Sequence, residues 1–156
     1  MNNRKVSIIL GIFLAIVAIV AVLVCFAPAF GADYQGYGDT RGNVFQIMFG
    51  YQGKEAVPLL IVAFVFQLVG ILFGLLAAIM PGKLGGINFG IYALLMVAAG
   101  IIFLLAPQLY LGVNGSSIAE IEGQTFTNGT GILLTGIFSI AGGVIALYSG
   151  YRAFKA

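Results

Sequence analysis

Hydrophobic positions along this chain fall into four unbroken runs, and charged positions into the short pieces between and beside them. The runs cover about residues 6–26, 57–80, 86–106 and 130–150. Each approaches the ~20 apolar residues needed to cross a hydrocarbon core of roughly 30 Å at about 1.5 Å per residue. They are continuously apolar, whereas membrane barrel strands alternate in and out, so helices are predicted. Pro28 follows the first run, Pro58 opens the second, Pro81 closes it and Pro107 follows the third. Proline lacks an N–H, which suits it to the first turn of a helix and to the segment beyond its end. The expected fold is an all-α membrane protein, a four-transmembrane-helix bundle forming a single tetraspan domain over residues 1–156. Residues 27–56 and 107–129 make two outer loops, and residues 81–85 make a tight inner turn.

Composition agrees with that pattern. Hydrophobic residues make up 61% of the chain and charged residues 8%, against roughly half and a quarter in a soluble domain. A core of this size has no room for the surplus, so lipid must cover it. With both termini on the cytoplasmic side, that side holds Arg4, Lys5, Lys83, Arg152 and Lys155 and no acid. The opposite side holds Arg41, Lys54 and all five acids. The positive-inside rule therefore places both termini in the cytoplasm and the chain in the cell membrane. Residues 1–32 also carry signal-peptide features, with Arg4-Lys5 ahead of an apolar run and Ala27-Pro28-Ala29 behind it. The run is longer than the roughly 7–15 residues of a signal-peptide core, so it is expected to be retained as a span. Basic residues cluster no further than Arg4-Lys5, which argues against nucleic acid as a partner.

The outer loops hold most of the polar chemistry. In the first, turn residues at Asp39-Thr40-Arg41-Gly42 precede a stretch in which Phe45, Ile47 and Phe49 alternate with other residues. That alternation reads as a short β-hairpin, and residues 108–113 of the second loop supply a third strand for a small cap. Tyr34, Tyr37, Tyr51 and Tyr110 fit two roles, an aromatic belt at the headgroups or, with Phe45, Ile47 and Phe49, an exposed partner-binding face. Asn114-Gly115-Ser116 and Asn128-Gly129-Thr130 match the glycosylation sequon and are read here as turn and helix-start residues.

In lipid, helices associate through close packing and interhelical hydrogen bonds, so small residues mark the contact faces. The fourth run carries Gly131, Thr135, Ser139 and Gly143 at intervals of four, with a second row at Gly142, Ala146 and Gly150. The second run carries Gly70 and Gly74, and the third Gly86, Gly90 and Gly100. These rows serve one bundle or, for the second row of the fourth run, a neighbouring subunit in a homo-oligomer. Gln67 is a strongly polar side chain deep in a span, at a depth matching Ser139. It is expected to hydrogen-bond Ser139 or Thr135. A weak repeat, Gly11-Ile12-Phe13 with Ala27-Pro28 against Gly90-Ile91-Tyr92 with Ala106-Pro107, suggests two parallel helical hairpins.

The chemistry for catalysis is sparse. Histidine is absent, and Cys25 stands alone, which excludes an intramolecular disulfide and a cysteine metal site. No catalytic, cofactor or metal residue is assigned, and no enzyme activity is expected. The layout, with a longer first outer loop of β character, resembles the claudin-like tetraspan membrane proteins. The W-GLW-C-C pattern of that family's first loop is missing, since the chain has no Trp and Cys25 lies in a span. Small multidrug exporters share the span count, but their membrane-embedded Glu has no counterpart. Two functions stay open. One is a structural, assembly or interaction protein working through its outer loops and small-residue faces. The other is a transporter or channel subunit for a small neutral solute, with a pore formed in an oligomer.

Overall fold

The computed structural model describes residues 3–27, 43–50, 56–80, 82–106, 108–109 and 130–155. These residues form helices α1 (Asn3–Leu23), α2 (Val44–Phe49), α3 (Pro58–Ile79), α4 (Gly82–Leu104) and α5 (Thr130–Lys155). A single 3-10 turn, Val24–Phe26, extends α1. No strand occurs among the described residues. All helices except α2 are long and apolar enough to cross a membrane, which marks the chain as a multi-pass membrane protein. Their lipid-side character is plain in exposure: Leu94 is 72% exposed, and Ile9, Leu72, Val144 and Leu147 are all more than half exposed.

The buried stripes explain how the helices meet. Buried positions run 11, 14, 18, 21 and 25 on α1 and its extension, and 60, 63, 67, 70, 74 and 77 on α3. They run 85, 89, 92, 96, 99 and 103 on α4, and 132, 135, 139, 142, 146 and 149 on α5. Steps of three and four alternate throughout. That is the 3.5-residue period of left-handed bundle packing, in which helices cross at about 20°. Around the bundle, α1 packs on α3, α3 on α4, α4 on α5, and α5 closes on α1. The pairs α1 with α4 and α3 with α5 therefore face each other across the two diagonals.

Two close approaches set the spacing. A Cβ at Gly11 would lie 2.6 Å from the backbone nitrogen of Ala78, so α1 and α3 meet there almost backbone to backbone. A Cβ at Gly100 would lie 2.8 Å from the Gly136 carbonyl oxygen, and one at Gly136 would meet the Leu104 side chain at 2.8 Å. Gly82 has φ +61°, a left-handed conformation that suits glycine and turns the chain from α3 into α4.

Several sequence expectations change. The stretch read as a β-hairpin strand through Phe45, Ile47 and Phe49 is helix α2. Asn43 caps it, its side chain accepting from the Gln46 amide at 2.9 Å while Gln46 Oε1 accepts from the Asn43 amide at 2.9 Å. This reciprocal cap fixes two otherwise orphaned donors and outweighs local β propensity. The strand expected from residue 108 begins helically, the Leu109 amide donating to the Leu105 carbonyl at 3.0 Å. Its remainder, with Tyr110, lies outside the described residues, as do the Asp39–Gly42 turn and both sequons except Thr130. The inner turn is shorter than expected, because α4 already starts at Gly82. The two glycines matched in the repeat differ, since a Cβ at Gly11 would strike the Ala78 backbone while one at Gly90 would meet nothing within 4 Å.

Overpacking a tight helix contact costs about 1–3 kcal/mol. Gly100→Leu should therefore lower the thermal stability of the purified protein in detergent, and Gly90→Leu should leave it nearly unchanged. Equal losses in the two variants would contradict this packing.

Candidate functional site

The polar centre of the bundle is built on α3 and α5. Gln67 occupies the heptad stripe of α3 and is fully buried, as are Thr135 and Ser139, one turn apart on α5. Gln67 Nε2 donates to Thr135 Oγ1 at 2.7 Å and to Ser139 Oγ at 2.8 Å. Thr135 Oγ1 in turn donates to the Ala21 carbonyl of α1 at 2.7 Å. Its single proton is thus engaged, and it can only accept from Gln67, which fixes the amide with its NH2 towards α5. Cys25 Sγ lies 3.6 Å from the Ala21 carbonyl and 3.7 Å from Thr135 Oγ1, closing the group at its outer edge. Gln67 Oε1 is buried with no hydrogen-bond partner among the described residues.

A second crosslink spans the other diagonal. Tyr92 on α4 donates its hydroxyl proton to the Leu14 carbonyl of α1 at 2.6 Å. Gly142 makes room for it, because a Cβ there would lie 3.0 Å from the Tyr92 hydroxyl. Gly142 is three residues past Ser139, about 4.5 Å along the helix, so the two crosslinks stack one turn apart. Two apolar clusters lie on either side. Leu60, Ala99, Phe103 and Ile132 belong to the one nearer α2, and Leu14, Phe89, Met96 and Ala146 to the one nearer the basic end.

At the end of the bundle away from Arg4 and Lys155, α2 is seated on it. Val44, Ile47 and Met48 are buried, and the Met48 carbonyl accepts from the Val57 amide at 3.0 Å just ahead of α3. Phe45 meets Phe26 at a tilt of 58° with ring centroids 4.7 Å apart and meets Phe64 edge-on at 5.2 Å. Phe49 also meets Phe64 edge-on, at 6.1 Å, yet stays 55% exposed. Gly50, with φ 101°, then lets the chain leave α2 in a direction other residues resist.

The structure brings together Gln67, Thr135 and Ser139, and it turns both rows of α5 inward. Gly131, Gly142 and Gly143 are buried; Gly142 faces Tyr92 and Val17, and Gly143 faces Val97 and the Ala93 carbonyl. Gly70 is buried against Met96, and Gly74 against Ala15. Gly90 stands exposed, with open space where a Cβ would project, although its backbone nitrogen lies near Gly150 of α5. Of the outer-loop residues, Ile47 is core, Phe45 is half-buried and Phe49 is exposed, while Tyr34, Tyr37 and Tyr51 lie outside the described residues. Sequence reasoning missed Tyr92, Cys25 and Gly136. A mid-span tyrosine was the available signal for the first, since a buried hydroxyl needs a partner. It also missed Asn88, which is buried near the basic end of the bundle and donates to the Leu84 carbonyl at 3.0 Å.

Comparison with known protein families, with characterised proteins and with solved structures finds no significant match for this chain.

Interhelical hydrogen bonds in membranes contribute about 0.6–2 kcal/mol each. A double-mutant cycle of Gln67→Leu and Ser139→Ala should show a coupling of about 0.6–1.7 kcal/mol in detergent unfolding. Zero coupling would reject the pairing. Tyr92→Phe should cost about 0.6–2 kcal/mol in the same assay.

Proposed function

We propose that this chain is a structural or assembly component of the cell membrane, with both termini cytoplasmic and its outer loops directed at a partner. The observation that carries the reading is the anchoring of the first outer loop. Helix α2 fixes that loop to the bundle through Val44, Ile47 and Met48 and the Phe26–Phe45–Phe64 aromatic contacts. A segment held as α2 is meets a partner with less ordering entropy left to lose. The exposed Phe49 ring is a suitable anchor residue at the loop's base, since aromatic side chains dominate interface energetics. The polar groups inside the bundle are used for crosslinking helices rather than for chemistry, which supports a non-enzymatic role. The partner is a second copy of the chain or another membrane protein.

One observation favours the alternative of a pore or carrier subunit for a small neutral solute. The carbonyl oxygen of Gln67 is an acceptor at mid-membrane depth with no partner among the described residues. Neutral hydrogen-bond donors are the solutes such an acceptor would suit.

A photo-crosslinking residue replacing Phe49 should give discrete protein adducts in intact membranes. Adducts with lipid alone would overturn the interaction reading. Proteoliposomes should show no solute uptake or conductance above empty vesicles, and uptake lost in Gln67→Leu would select the alternative. Tags at the two ends should both be shielded from impermeant reagents outside the cell.

A further inference from the structure

An open groove of about 440 Å³ runs along the outer surface between α1 and α3 at the basic end of the bundle. Its walls are Ile8 and Ile12 of α1 and Leu75, Ala78 and Ile79 of α3. It exists because Gly11 and Ala78 meet so closely that the larger neighbours are left standing as two parallel ridges. Its volume falls in the roughly 300–1,000 Å³ range of small-molecule sites. The one polar side chain in its lining is Arg4.

Arg4 is held at this position. Its guanidinium donates to the carbonyl oxygen of Ile79, the last residue of α3. That carbonyl has no partner within its own helix, as is general for a final helical turn. The bond draws the arginine across the end of the groove, joining α1 to α3. Among the described residues the surrounding charge has one sign. Every charged residue described is basic: Arg4, Lys5, Lys83, Arg152 and Lys155. Lys5 is exposed in the first turn of α1 and Lys83 at the start of α4.

We infer that this groove is a binding site for a single anionic phospholipid, with an acyl chain along Ile8, Ile12, Leu75 and Ile79 and the headgroup phosphate at Arg4. Arg4 Nη2 is engaged with the Ile79 carbonyl and Nη1 is buried, so the arginine draws the phosphate by its fixed positive charge. Basic residues close to a membrane surface each attract anionic lipid by about 1 kcal/mol. From Arg4 to Ile12 the groove is about 12 Å long, enough for the first part of an acyl chain below its glycerol. The positive rim supplies long-range attraction, and the groove with Arg4 supplies the specific seat. The occupant fits by charge at one end and by apolar shape along the rest.

Native mass spectrometry of the purified full chain, incubated with equal amounts of phosphatidylglycerol and phosphatidylcholine of matched acyl chains, tests this. One phosphatidylglycerol should be retained with about tenfold preference, the ratio that corresponds to a modest differential affinity. Arg4→Gln should abolish the preference, and Arg4→Lys should restore it only in part. Leu75→Trp fills the groove without altering charge or the Gly11–Ala78 contact, and should reduce retention of the lipid. Lys5→Gln should weaken binding while keeping the preference. Inorganic phosphate at millimolar concentration should not displace the lipid, because it lacks the chain. The inference is overturned if the two lipids are retained equally by the unmodified protein. It is also overturned if Leu75→Trp binds as the parent does, or if Lys5→Gln removes the preference while Arg4→Gln does not. Melting curves of each variant separate loss of the site from loss of the fold.

Discussion

Four helices in lipid gain little from being apolar, because the surrounding chains are equally apolar. What holds this bundle in one arrangement is the pair of hydrogen-bonded crosslinks at its centre. Gln67 joins α3 to α5 through Thr135 and Ser139, and Tyr92 joins α4 to α1 at Leu14. These are the two diagonals of the bundle, the pairs that share least side-chain packing. Thr135 ties α1 into the first crosslink through Ala21. Rotation of any one helix about its axis would bury a polar atom in hydrocarbon, so the crosslinks set rotational register as well as proximity.

Such crosslinks require helices close enough for short side chains to reach. Glycine supplies that closeness, at Gly11 against Ala78 and at Gly100 against Gly136. Serine and threonine on α5 sit on the same heptad stripe as Gly142 and Ala146, so the tight face and the polar face coincide. Hydrogen bonds set orientation and small residues set distance, and neither is sufficient alone.

Much of this was legible in the chain. The spans were legible because charge is excluded from them, and the Gln67 partners because residues at equal depth on parallel helices meet. The helix at residues 44–49 was not. Phe45, Ile47 and Phe49 alternate as a strand would, and the Asn43…Gln46 reciprocal cap that decides the matter is a signal of two residues. Gly136, which packs against Leu104 and Gly100, lies outside the rows picked out, whereas Gly90, which is in one, has open space beside its Cα. In an alphabet of Ala, Gly, Ile and Leu the small-residue rows overlap several helix faces, and only the partner helix shows which face is used. Tyr92 was hidden because its hydroxyl bonds a backbone carbonyl, which leaves no mark in the sequence.

The diagonal made by Gln67 also has a temporal side. Thr135 and Ser139 lie on α5, which leaves the ribosome after α3, the helix that carries Gln67. Until α5 arrives, the Gln67 amide has no acceptor on its own hairpin and faces lipid or the insertion machinery. A chain interrupted before residue 130 would carry that unsatisfied amide permanently. An unsatisfied amide in hydrocarbon is costly, so the bond that orders the bundle also makes α3 depend on the later arrival of α5.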